Sequence, residues 1–142
     1  MIYAVKIIVV ALLSYLAGNF NSAIAISKLK KNDIRKLGSG NPGTMNMFRN
    51  FGKGIGLLTL GLDALKGIIP CLMGWFVCGE AWRFGADKIG LYTGGLSVIV
   101  GHIFPVFYKF HGGKGIASSV GVCLVINWWA TLISFTVGAL FL

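Results

Sequence analysis

Acidic residues are scarce in this 142-residue chain: four Asp and Glu stand against 13 Lys and Arg, and charged residues together make up 12% of it. A soluble domain carries about twice that share. The shortage excludes an ordinary water-facing globule, and the apolar surplus excludes a disordered chain. Cysteine is sparse as well. Cys71, Cys78 and Cys123 form an odd set scattered through apolar stretches, which makes neither a disulfide framework nor a metal pattern. They read as small packing residues. The two histidines, His102 and His111, have no acids at ligand spacing, so no metal and no cofactor is expected. No long linker, low-complexity tract or repeat divides the sequence, and residues 1–142 are expected to form a single domain.

Hydrophobic residues make up 56% of the chain, with 21 glycines and a mean hydropathy of +0.79. A net charge of +9 suits nucleic acid or a membrane face, and the apolar runs decide for the membrane. Residues 2–27, 55–78, 89–107 and 116–142 each approach the roughly 20 apolar residues that a spanning helix needs. The first run is too long for a signal-peptide core and is expected to be retained. The expected architecture is an all-α polytopic bundle of about four spans, with short or broken helices and Gly-rich loops.

The loops differ in charge. Residues 28–53 carry Lys28, Lys30, Lys31, Arg35, Lys36, Arg49 and Lys53 against Asp33 alone; residues 79–88 balance Glu80 and Asp87 with Arg83 and Lys88; residues 108–115 carry Lys109 and Lys114 and no acid. Basic loops stay cytoplasmic, which puts the N-terminus outside and both Gly-rich loops inside a multi-pass protein of the cell membrane.

Two placements each have two readings. Asp63 and Lys66 can pair at i, i+3. Either they lie well inside a span that starts at residue 55, or residues 45–62 are interfacial and the span runs over 65–82. The second placement is preferred because it leaves the pair at the cytoplasmic surface. At the end of the chain, Asn127-Trp128-Trp129 either stops a short helix over 116–126 or sits within a single tilted helix over 116–142. The stop is preferred.

The first loop reads Gly38-Ser39-Gly40-Asn41-Pro42-Gly43-Thr44-Met45-Asn46, followed by Arg49. Its glycines permit tight turns, and consecutive free N–H groups make an anion-binding concavity. Arg49 offers a planar fork for phosphate. The Gly-x-Gly-x-x-Gly spacing does not signal a dinucleotide, because no strand precedes it. The second loop reads Gly101-His102 through Phe107 and then Phe110-His111-Gly112-Gly113-Lys114-Gly115. It precedes an apolar helix whose free N–H groups favour phosphate. A Walker loop is excluded, because Tyr108 and Gly115 stand where Gly and Ser or Thr are required.

Together these stretches, with Asp63-x-x-Lys66-Gly67 between them, resemble the acyl-phosphate:glycerol-3-phosphate acyltransferases of bacterial phospholipid synthesis. The resemblance runs in order from about Gly18 to Val120. It implies transfer of a fatty acyl group from acyl phosphate to the 1-hydroxyl of glycerol 3-phosphate, giving 1-acylglycerol 3-phosphate and phosphate. It implies Ser39, Arg49 and His102 as catalytic candidates. Gly38, Gly40, Asn41, Gly43, Asn46, Lys66, Gly112, Gly113, Lys114 and Gly115 are the implied substrate-binding candidates. Membrane lipid and the soluble enzyme that makes acyl phosphate are candidate partners, and nucleic acid is not. The family's third motif, with His, Asn and Glu, is not matched after Lys114, so the chain is expected to be C-terminally incomplete and of low activity alone. Two other readings are a binding-only relative and a small transporter of a phosphorylated solute. A transporter should show internal repeats and polar residues along its spans.

Overall fold

The computed structural model describes residues 1–79 and 88–140, and among them the regular structure is all helical. The order is α1 (Ile2–Asn19), α2 (Ser22–Leu29), α3 (Thr44–Cys78), α4 (Ile89–Ile103), α5 (Ile116–Ile126) and α6 (Trp128–Leu140). Single 3-10 turns lie at Ile34–Lys36 and Val106–Tyr108. Three stretches, Ile2–Leu29, Thr44–Cys78 and Ile89–Tyr108, are long and apolar enough to cross a membrane. Their outward faces expose Leu12, Leu16, Leu58, Leu65, Ile69, Phe76 and Leu96, which suits hydrocarbon rather than water. Apart from Gly79 and Lys88, the charge-balanced loop lies outside the described residues.

Each break in a helix has a local cause. α1 and α2 are separated at Asn21, whose side chain caps α2 by accepting from the Ile24 N–H at 3.0 Å. α3 turns at Gly52, which sits at φ 84°, a left-handed conformation open to glycine. Asn127 separates α5 from α6 by accepting from the Ala130 N–H at 3.0 Å. Residues 116–140 therefore form two helices rather than one, with Asn127 extended between them.

Close helix packing forms the bundle: α3 and α4 meet along Gly74, Gly90 and Gly94, and α3 and α5 along Gly67 and Gly121. A separate cluster of Ala23, Ile24, Ile34 and Met47 lies under the first Gly-rich loop. It joins α2, the first 3-10 turn and the start of α3, and so fixes the loop's position.

The preferred placement of Asp63 and Lys66 is corrected by this fold. α3 breaks at Gly52 rather than near residue 63, and from Lys53 onward it runs through to Cys78. Asp63 is 1% exposed, and the Lys66 side chain is 10% exposed. The pair is buried because partners elsewhere in the chain satisfy it.

Candidate active site

The first loop is built around Asn46. Its amide donates to the Leu37 carbonyl at 2.9 Å and the Ile34 carbonyl at 3.3 Å. Its Oδ1 accepts from the Ser39 N–H at 3.2 Å and from Asn50 Nδ2 at 3.0 Å. All four bonding positions of this amide are used, so Asn46 shapes the loop from below. Gly38 stands at φ 53° and Gly40 at φ 71°. A Cβ on Gly38 would also run into the Asn46 carboxamide. Asn21 ties the loop to α2 by donating to the Pro42 carbonyl at 3.1 Å. Gly43 caps α3, and Ser39 is left exposed.

The second loop folds back on the end of α4. The Gly112 N–H donates to the Ile103 carbonyl at 3.1 Å and the Gly113 N–H to the His102 carbonyl at 3.2 Å. These glycines are needed for close approach, since a Cβ on either would overlap the end of α4. Their N–H groups are committed to carbonyls. From Lys114 through Ser118 in the first turn of α5, the N–H groups have no acceptor among the described residues. Tyr15 and Asn19 pin the preceding turn: the Tyr15 hydroxyl donates to the Phe104 carbonyl at 2.9 Å, and Asn19 Oδ1 accepts from the Phe107 N–H at 3.4 Å.

The two loops enclose a cleft of about 630 Å³. Arg35, Ser39, Gly40, Asn41 and Pro42 line one side; Ile103, Phe110, His111, Gly112 and Gly113 line the other. Of the residues singled out in the sequence, Ser39, Gly40, Asn41, Gly112 and Gly113 thus meet across one space. The others are not among the residues that line it. His102 is 4% exposed and lies behind Gly113, with Nε2 toward that backbone. Arg49 is exposed and unpaired among the described residues, on the first turns of α3. Lys114 is at the mouth of a second groove of about 640 Å³ between α5 and α6. Lys66 Nζ is engaged by Asp63 Oδ1 at 2.9 Å and the Phe20 carbonyl at 2.7 Å.

Arg35 enters the cleft wall although the sequence marks it only as one charge in a basic loop. The Asp33-x-Arg35 spacing just before the glycine run is the signal that identifies it. Asp33 Oδ1 caps the 3-10 turn by accepting from the Arg35 N–H at 3.1 Å. The same carboxylate takes Arg35 Nε at 2.9 Å and Nη2 at 2.6 Å. This hydrogen-bonded fork pulls the Asp33 carboxyl down to about 2 and pushes the guanidinium up. The pair therefore stays ionised at neutral pH, and its contribution is lost only as the pH falls toward 2.

The model of the family described as glycerol-3-phosphate acyltransferase matches residues 8–142. This chain belongs to that family. Glycerol-3-phosphate acyltransferases from Mycoplasmopsis pulmonis and Ralstonia pickettii are 39% and 40% identical to it, over 87% and 96% of this chain and 61% and 67% of their own. The glycerol 3-phosphate form of PlsY, an integral membrane glycerol 3-phosphate acyltransferase, superposes with a TM-score of 0.79 at 38% identity. That match covers 92% of this chain and 62% of PlsY. The lysophosphatidic acid form of PlsY gives a TM-score of 0.77 over 61% of its chain. The chain thus spans roughly three-fifths to two-thirds of the length of these relatives. It is, like PlsY, an integral membrane protein.

Proposed function

We propose that this acyltransferase-family chain moves a fatty acyl group from acyl phosphate to the 1-hydroxyl of glycerol 3-phosphate. The observation that carries the reading is the cleft itself, lined by glycines of both loops and by Ser39 at the end of an apolar bundle. Both substrates bear phosphate, and the acyl tail can lie along the apolar helices. The acceptor oxygen adds to the acyl carbonyl, the carbon–oxygen bond to phosphate breaks, and the phosphate leaves. Acyl phosphate is a mixed anhydride, so no covalent nucleophile is needed; juxtaposition and oxyanion stabilisation carry the rate. We assign Ser39 to the oxyanion or to phosphate, Arg49 to a phosphate clamp, Lys114 to the acyl-phosphate end of its groove, and Asn41 to substrate orientation. His102 lies behind Gly113, so the proton is assigned to the substrate's own phosphate.

Phosphate release tests the reading, with the protein in detergent, alone and with the C-terminal region of a full-length relative fused on, acyl phosphate as donor and glycerol 3-phosphate as acceptor. Acyl-CoA in place of acyl phosphate is expected to give no turnover. Ser39→Ala should lower kcat by about 10²-fold, the cost of one oxyanion donor. Equal turnover with acyl-CoA, or unchanged kinetics in Ser39→Ala, would reject it.

The orientation is proposed from charge: basic loops in the cytoplasm and the N-terminus outside, in the cell membrane. In a background without Cys71, Cys78 and Cys123, single cysteines at Asn32 and Asp87 should label from opposite sides of sealed vesicles. Labelling of both from one side would refute the topology.

A further inference from the structure

Arg35 is held on three sides and open on the fourth. Asp33 binds Nε and one edge of Nη2, and the Asp33 carboxylate is itself anchored on the Arg35 backbone N–H. The guanidinium carbon lies 5.9 Å from the centre of the Tyr108 ring, which belongs to the second loop. Of the five guanidinium N–H donors, those on Nη1 and the second on Nη2 have no acceptor among the described residues. The side chain is 39% exposed, and it lines the cleft on the side opposite His111 and Gly113.

We infer that Arg35 is a preformed phosphate contact of this cleft, its free edge receiving a phosphate oxygen pair while Asp33 and Tyr108 fix the fork from behind. The inference rests on the proposed acyltransferase reading only for the identity of the phosphate, which glycerol 3-phosphate or acyl phosphate could bring. A free arginine loses side-chain freedom when it binds; one already fixed by a carboxylate and a ring loses little. Lysine cannot replace it, because a point charge does not present two parallel donors. Asp33 neutralises the Arg35 charge locally, so the contact selects a group with paired oxygens over a bare negative charge. Tyr108 makes the contact a link between the loops, because an anion held by Arg35 also lies against the second loop's wall.

The test is binding by the purified chain in detergent, read by calorimetry and by phosphorus NMR, with three probes: inorganic phosphate, glycerol 3-phosphate and an alkylphosphonate that mimics acyl phosphate. Arg35→Lys and Arg35→Gln are expected to weaken inorganic phosphate roughly tenfold, which is about 1.4 kcal/mol, with the melting temperature of the unliganded protein unchanged. Asp33→Asn leaves the guanidinium in place but unpinned, and should weaken it about threefold, or about 0.65 kcal/mol. Given the loss on inorganic phosphate, a matching loss on glycerol 3-phosphate but not on the phosphonate assigns Arg35 to the acceptor, and the reverse assigns it to the donor. Inorganic phosphate that fails to bind the wild type, or that binds both Arg35 variants as it binds wild type, overturns the inference. A lower melting temperature matching the lost affinity also overturns it, since Arg35 would then only hold the loop. Absence of acyl transfer even with the C-terminal region of a full-length relative fused on, alongside an intact Arg35 effect on inorganic phosphate, would reject the acyltransferase reading and leave this contact standing.

Discussion

Asp63→Ala is expected to destabilise the bundle by about 3–5 kcal/mol, the range for removing one partner of a buried ion pair. Asp63 Oδ1 accepts from the Ser22 hydroxyl at 2.7 Å and from Lys66 Nζ at 2.9 Å. Lys66 also donates to the Phe20 carbonyl at 2.7 Å. That carbonyl is available because the helix breaks at Asn21. In a continuous helix the Ile24 N–H would take it, but here the Ile24 N–H goes to Asn21 Oδ1. One asparagine cap therefore creates the acceptor that the lysine fills, and the carboxylate offsets the lysine's charge. Removing Asp63 leaves the Lys66 ammonium, on a side chain 10% exposed, with the Phe20 carbonyl as its remaining hydrogen-bond partner among the described residues. Thermal unfolding in detergent reads the loss. Asp63→Leu combined with Lys66→Met removes both charges and should recover most of the stability. A melting temperature for Asp63→Ala within a degree or two of wild type would show that the pair is not holding α2 against α3.

The same pair shows where sequence reasoning stops. Placing it at the surface follows from the cost of burying two charges, and that cost is real. The compensation comes from Ser22 and Phe20, more than 40 positions away, and no local pattern announces it. Helix breaks were more legible. The stop at Asn127 is an asparagine between apolar runs, and it forms as a cap. The two Gly-rich loops were recognisable by composition, yet the task of each glycine was not. Gly112 and Gly113 look like donors in a list of residues, but the return of the chain onto α4 uses their N–H groups. Asn46 looks like a substrate ligand and is instead consumed by four loop contacts. Arg35 was hidden among seven basic residues of one loop, because its distinction lies in Tyr108, a residue of the other loop.

Gly67→Ala is expected to be among the most damaging single methyl additions, although alanine is the better helix former. Lipid tails are as apolar as side chains, so helices in a bilayer associate by close packing. A Cβ on Gly67 would overlap the Ser118 carbonyl of α5 and crowd the Val122 N–H at 3.2 Å. Those atoms belong to helix backbone and cannot rotate away, so α3 and α5 must separate. Overpacking of this kind costs about 1–3 kcal/mol and occasionally more. Gly61 lies on the same helix, and a Cβ there meets nothing within 4 Å. Gly61→Ala should therefore be neutral or stabilising by about 0.5–1 kcal/mol, the helix preference alone. The comparison separates propensity from packing, since the substitution and the helix are the same. Activity should follow packing too. α5 starts at the Gly115 cap, directly after Lys114, so a displacement of α5 moves the end of the second loop. A shift of about 1 Å at a reacting geometry can cost 10²-fold in rate. Gly67→Ala should then lose turnover beyond what its unfolded fraction explains, while Gly61→Ala keeps it. Similar melting temperatures and rates for the two variants would show that the α3–α5 seam does not set the position of the loop.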